Sequence, residues 1–306
     1  MSLLRINCLP MLTSRILKRT SIAVCACISK PTSVLHFEMA ISRAVEPNTY
    51  LEVCYQQQSE RKPMIDFALL NVHKFFEQKH STSQNEPMKV LDCGCGPVLA
   101  YSICAAGANA DIVLAEYGEK CRNALQDWLD GSPSAWDWTP YIKYVVCELE
   151  HKDSNEVQKR KQDMQKAIKA VVPCDITQDP PIAKGYEGPY DVMMSILCLE
   201  TACRTRVEYT AAVKRLATMV KTNGNLLLYT TVRNRDDHDD SPGYYTIGER
   251  RFIDVALPLK FVLSTLTDSG FTIVEVNEVP EEAKTILCNI EGSDVESMAF
   301  ITATKM

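Results

Sequence analysis

The chain has 306 residues, 46% of them hydrophobic and 24% charged, which suffices for one large core or two modest ones and excludes disordered, collagen-like and coiled-coil classes. Residues 1 to 37 hold Arg5, Arg15, Lys18, Arg19 and Lys30 and no acid, so the rest carries 28 basic against 39 acidic residues. A body near −11 argues against a nucleic-acid or anionic-membrane partner. The longest uncharged apolar run, residues 21 to 29, falls far short of the roughly 20 residues of a membrane span, so the protein reads as soluble.

Residues 1 to 37 form a basic N-terminal extension with the composition of a mitochondrial transit peptide, or else a disordered cytosolic segment. The compartment expected is the cytoplasm, or the mitochondrion if the extension is a transit peptide. The domain proper is expected over residues 38 to 306. Residues 50 to 78 read as helix in two pieces broken at Pro63, with an apolar stripe through Met64, Phe67, Val72 and Phe76. Residues 89 to 92 are a short strand running into Gly94-Cys95-Gly96-Pro97, followed by a helix over 99 to 106 and a buried strand over 110 to 115 closed by Glu116. A helix is expected at 119 to 129, a third strand at 142 to 147 and a charged amphipathic helix at 156 to 172. Strands at 190 to 197 and 225 to 232 flank a helix at 207 to 220. The acid-rich stretch 233 to 245 reads as a mobile surface loop. A helix near 259 to 269 and two late strands, 272 to 279 and 298 to 304, read as an antiparallel hairpin at a sheet edge. Strands that are apolar throughout and alternate with helices mean a mostly parallel α/β sheet covered on both faces.

The thirteen cysteines are spread through apolar runs, and no two make a C-x-x-C, so they read as buried free thiols rather than a disulfide scaffold or zinc ribbon. His36, His73, His80, His151 and His238 are scattered. No metal site is expected.

Asp92-x-Gly94-x-Gly96 lies between a strand and a helix, where glycines let a ligand approach the backbone. Glu116 ends the next strand, where a carboxylate accepts both hydroxyls of a ribose. Together they indicate an adenosine-containing cofactor. A dinucleotide wants a third small residue, and Leu99 stands there; Asp92 instead suits the glycine loop and the cationic methionine end of S-adenosylmethionine (SAM). Asp175, after an apolar stretch, suits the adenine amino group. These residues favour SAM over a nicotinamide dinucleotide.

From about residue 45 to 305 the chain resembles the class I SAM-dependent methyltransferases of small amines, the nicotinamide, phenylethanolamine and indolethylamine or thioether methyltransferases. The blocks that carry the resemblance are Pro47-Asn48-Thr49-Tyr50-Leu51 with Tyr55, Leu91 to Pro97, Ala135-Trp136-Asp137-Trp138-Thr139-Pro140, Cys174-Asp175-Ile176, Leu197-Cys198-Leu199-Glu200 and Tyr244-Tyr245-Thr246-Ile247-Gly248. It implies a Rossmann-like, mostly parallel seven-stranded sheet with an antiparallel last strand and an N-terminal helical lid. It implies that Tyr50 and Tyr55 close over the cofactor, that Gly94 lines its amino-acid end, that Glu116 and Tyr117 meet ribose and adenine, and that Asp175 and Ile176 meet the adenine edge. Glu116 is one methylene longer than the family's usual aspartate, and Cys121 stands where the nicotinamide enzyme has asparagine.

For the acceptor, the resemblance places Glu200, Asp254, Asp294 and Tyr245 in the pocket, with Asp294 matching the aspartate that contacts the amine nitrogen in the phenylethanolamine enzyme. Thr230 stands where the nicotinamide enzyme meets the carboxamide with an aspartate, which points away from nicotinamide and toward a primary or secondary amine. Trp128, Trp136 and Trp138 read as packing. The expected activity is methyl transfer from SAM to the nitrogen of a small amine by a monomer. A thioether acceptor, a SAM-binding sensor without turnover and an NAD-dependent oxidoreductase are the alternatives.

Overall fold

The computed structural model describes residues 45–80, 86–236 and 239–306. The N-terminal extension and its targeting role lie outside them. In chain order the elements that build the site are helices α1 (Pro47–Tyr55) and α2 (Lys62–His80), strand β1 (Met88–Cys93), α3 (Ser102–Gly107), β2 (Ala110–Glu116) and α4 (Glu119–Leu129). There follow α5 (Thr139–Lys143), α6 (Glu156–Ala167), β3 (Ile168–Pro173), β4 (Tyr190–Ile196), α7 (Leu199–Ala202), α8 (Arg206–Met219) and β5 (Val220–Val232). The chain ends with a two-stranded ribbon, β6 (Gly243–Ile247) and β7 (Arg250–Asp254), then α9 (Leu259–Asp268), β8 (Phe271–Glu278), α10 (Glu281–Asn289) and β9 (Ser297–Lys305).

Seven strands pair in the order β3-β2-β1-β4-β5-β9-β8, and β9 runs antiparallel to both of its neighbours while the others are parallel. This is the doubly wound sheet that the strand rhythm predicts. Leu91, Leu114, Met193 and Leu227 are wholly buried at its centre, each contributing on the order of 1.5–3 kcal/mol. The strand order reverses between β1 and β4, and the carboxyl ends of those strands open the crevice where α/β sheets bind ligands. No helix among the described residues is long and apolar enough to cross a membrane.

Four expectations are corrected. Residues 142 to 147 are not a strand: Tyr141, Ile142, Val145 and Val146 are buried at helical spacing, in α5 and the π-helical turn Tyr144–Leu149 that follows it. The third strand is β3, since α6 ends at Ala167 and the β-branched run beyond it pairs with β2, Leu114 opposite Val171. Met164 and Ile168 share an apolar i, i+4 spacing, which by itself extends the helix into the strand. The last two strands are neighbours but no tight hairpin, because α10, short and buried only through Ala283 and Leu287, lies between them in the chain. Finally, the stretch 233 to 245 is no mere surface loop: Arg233 and Gly243 are buried, and the second half enters β6.

Candidate cofactor and acceptor site

A cleft at the carboxyl ends of β1, β2, β3 and β4 brings together Tyr50, Tyr55, Asp92, Gly94, Gly96, Glu116, Tyr117, Asp175 and Ile176, all nine of the residues assigned to the cofactor from sequence. The glycine loop is shaped by its backbone. Gly94 has φ +73° and Gly96 φ +60°, the left-handed region that glycine enters without steric cost. The Gly94 N–H donates to the Ala115 carbonyl at 2.7 Å, and a Cβ on Gly94 would come within 2.6 Å of Cys198 Cβ. The loop therefore passes directly against the segment after β4.

Glu116 is buried at the end of β2 and holds two turns at once: its Oε2 accepts from Gly96 N–H at 2.9 Å and its Oε1 from Gly118 N–H at 2.7 Å. A carboxylate has about four acceptor positions and can accept from more than two donors at once. Asp175 has a local partner, its Oδ1 accepting from Thr177 N–H at 3.0 Å and from Thr177 Oγ1 at 2.6 Å.

Asp92 differs from both. It is buried in the cleft, and neither carboxylate oxygen has a hydrogen-bond partner among the described residues. Burial first, and the nearby Glu116 second, push its carboxyl up to about 7. An unpartnered buried carboxylate is costly and calls for a cation. The residues present thus fit SAM: an ammonium against Asp92, a diol against Glu116 and an adenine edge at Asp175 and Ile176. SAM affinity is expected to rise from about pH 6 to pH 8, because only the ionised Asp92 pairs with an ammonium, by up to about tenfold per pH unit below its midpoint. Asp92→Asn should flatten that dependence in calorimetric titrations across the range.

Tyr101 and the tryptophan block were given no part in the cofactor site by the sequence. Tyr101 lines it and places its hydroxyl 3.3 Å from that of Tyr55. The tryptophan block supports Tyr55 from behind: Trp138 packs edge-on at 5.6 Å, and the Tyr141 hydroxyl donates to the Tyr55 carbonyl at 3.0 Å. Trp138 is indeed packing, as expected, and what it packs is the helix that borders the cofactor cleft.

The four acceptor-side residues gather near the ends of β4 and β5 and the β6–β7 ribbon. Tyr245 stacks on Phe252 at 5.3 Å; burial first, then the nearby Asp254 and Glu200, raise its hydroxyl well above the usual phenol range, against the pull of Arg233. Glu200 is wholly buried; its Oε1 accepts from Thr231 N–H at 3.2 Å, and its Oε2 has no hydrogen-bond partner among the described residues. Burial, aided by repulsion from Asp254 and opposed by backbone N–H groups and the Thr230 hydroxyl, pushes its carboxyl up to about 7.

Asp254 and Asp294 are held differently from the expectation of amine-facing acids. Arg233, wholly buried, places Nη2 2.9 Å from Asp254 Oδ1 and Nε 2.7 Å from Asp294 Oδ1. Asp294 Oδ1 also accepts from Tyr244 N–H at 2.7 Å, and its Oδ2 from Arg235 at 2.6 Å. Partial burial opposes ionisation of Asp294, but the Tyr244 N–H and the two guanidiniums outweigh it and hold the carboxyl below its usual range. Its carboxylate is thus paired with two arginines, with the side chain 30% exposed. Asp254 is pushed up to about 6 by burial, with Arg233 pulling the other way. Thr230 is buried on β5 without a carboxylate to offer. No cluster of metal-ligating side chains occurs among the described residues.

A family model described as the NNMT/PNMT/TEMT family matches residues 36–306. Nicotinamide N-methyltransferase of Homo sapiens is 28% identical over 269 residues, 86% of this chain and 93% of that protein. Indolethylamine N-methyltransferase of Oryctolagus cuniculus is 30% identical over 238 residues, 77% and 85%. Among solved structures, magnesium protoporphyrin IX methyltransferase of Synechocystis PCC 6803 superposes with a TM-score of 0.53 at 14% identity, covering 88% of this chain and 99% of that one, a likeness of fold.

Proposed function

The chain belongs to the NNMT/PNMT/TEMT family and is a SAM-dependent methyltransferase of small amines, and from that premise we propose that its acceptor is a primary or secondary amine received by Glu200. The observation that carries this reading is Glu200 itself, wholly buried, with one oxygen anchored by Thr231 and the other without a hydrogen-bond partner among the described residues. Such an oxygen suits an ammonium, and a carboxyl that titrates near neutrality suits removal of its proton. SAM, when bound, supplies a methyl group on a sulfonium that a neutral amine displaces in line.

The protein's own tasks follow from that chemistry. Asp92 and Glu116 fix the two ends of the cofactor, Tyr50 and Tyr55 border it from α1, and Glu200 draws in the ammonium and takes its proton, directly or through water. Holding the nitrogen lone pair in line with the methyl carbon supplies much of the rate. Thr230 in place of an aspartate supports an amine over nicotinamide. We read the enzyme as a monomer of the cytoplasm, where its ten described cysteines, all unpaired, stay reduced.

Labelled-methyl transfer from SAM to phenethylamine, tryptamine, nicotinamide and dimethyl sulfide is the direct test. Transfer to an amine is expected to exceed transfer to nicotinamide by at least about tenfold, since the carboxamide lacks its acidic partner. Preferred transfer to dimethyl sulfide or nicotinamide would replace this reading.

A further inference from the structure

Arg122 stands on α4, half-buried, and its guanidinium turns back onto the end of β2. One nitrogen, Nη1, donates to two consecutive carbonyls, that of Glu116 at 2.9 Å and that of Tyr117 at 2.5 Å. The Glu116 carbonyl is also where the segment after β3 is tied, since it accepts from Cys174 N–H at 3.3 Å, and Cys174 is followed directly by Asp175 and Ile176. The Glu116 carboxylate meanwhile holds the Gly96 and Gly118 turns. Three segments that border the cofactor cleft therefore meet at one residue: the glycine loop, the end of β2 and the stretch 174 to 176. Arg122 fixes the main chain of that residue from behind. A guanidinium is always charged and its geometry is rigid, so its bonds to carbonyls are strong and directional. Because each peptide unit is planar, holding these two carbonyls fixes the planes on both sides of the Tyr117 Cα, and with them the direction of a side chain that lines the cleft.

We infer that Arg122 is a positioning residue for the adenosine half of the cofactor: by clamping the Glu116 and Tyr117 carbonyls it sets the spacing between the ribose acid Glu116 and the adenine edge at Asp175 and Ile176, and thereby the preference for adenine over other purines. This rests on the assignment of those residues to ribose and adenine above. Without the guanidinium, the Glu116 carbonyl keeps only the longer bond from Cys174 N–H, and the end of β2 and the stretch 174 to 176 lose their common anchor. A hydrogen bond to the adenine amino group depends on that anchor, because a few tenths of an ångström decide whether such a bond is made. The methionine end, held at Asp92 on β1, does not.

The test measures binding of S-adenosylhomocysteine and S-inosylhomocysteine to the full chain by calorimetry; the second ligand carries a carbonyl where adenine carries its amino group. The wild-type protein is expected to bind the adenosyl ligand at least about tenfold more tightly, since the inosyl carbonyl offers the Asp175 carboxylate no donor. Arg122→Met and Arg122→Ala should weaken S-adenosylhomocysteine about fivefold or more and shrink the preference at least about threefold. Arg122→Lys, which keeps a cation within reach of the carbonyls, should retain most of it. Asp92→Asn should weaken both ligands alike and leave the ratio unchanged. A merely structural role would lower the melting temperature without moving the ratio. The inference is overturned if the methionine or alanine variant keeps the wild-type ratio, or if neither variant folds, which would make Arg122 a residue of the scaffold. A wild-type protein without preference removes the Asp175 assignment and this inference with it; a wild-type preference that survives in the variants removes this inference alone.

Discussion

Replacing Gly94 with alanine is expected to weaken SAM binding by at least about thirtyfold in calorimetry. Two costs add at this position. A non-glycine residue held at φ +73° costs roughly 1–2 kcal/mol. The new methyl group would also lie 2.6 Å from Cys198 Cβ, and forcing a packed site apart costs typically 1–3 kcal/mol. The backbone cannot yield easily, since the Gly94 and Cys95 N–H groups are tied to the Ala115 carbonyl. What must move instead is Cys198, which lines the same cleft. Gly96→Ala is the internal comparison: its φ of +60° carries the same conformational cost, but nothing lies within 4 Å of a Cβ there. Its loss should be several-fold smaller. Equal losses in the two variants would show that the close approach to Cys198 does not limit the site.

Glu200→Gln is expected to lower kcat/KM for the preferred amine by about 10²–10⁴, the range for a lost acid–base group, while SAM affinity changes less than about twofold. The glutamine keeps the shape and can still accept from Thr231 N–H, so folding should survive. The pH profile identifies the cause. Because the ionised carboxylate is the active form and its carboxyl is pushed up to about 7, wild-type kcat/KM should rise with pH through neutrality. The variant should lack that limb. Stability runs the opposite way: a carboxyl raised on folding contributes stability that is complete below its unfolded value near 4.3 and lost as pH rises through about 7. Glu200→Gln should therefore unfold with less dependence on pH over that window. An unchanged kcat/KM in the variant would remove Glu200 from the chemistry.

Part of this site was written in short stretches of sequence. Asp92, Gly94 and Gly96 fall within five residues at a strand end, and Glu116 ends the next strand, so their convergence follows once β1 and β2 pair in parallel. The tyrosines of α1 were legible through resemblance. Arg233 was not. It sits in a run of charged residues whose composition reads as solvent-exposed, and its burial depends on Asp294, 61 residues away, and on the β6–β7 ribbon folding over it. Composition averages over neighbours, whereas one side chain can point inward. Tyr101 and Trp138 are of the same kind: each is an aromatic residue whose importance lies in touching Tyr55, a contact that leaves no local periodicity.

Most of the alternation of strands and helices, the glycine loop and the acid that anchors it were legible in the amino-acid order alone. These depend on hydrophobic period and on glycine's access to positive φ, which act within a few residues. Which carboxylates pair with an arginine depends on contacts between distant segments. Asp254, Asp294 and Glu200 are alike as sequence symbols, but in the folded chain one guanidinium pairs with the first two, while Glu200 is held by Thr231 N–H. Desolvation and ion pairing are properties of the assembled site, and they set the charge that an incoming amine meets.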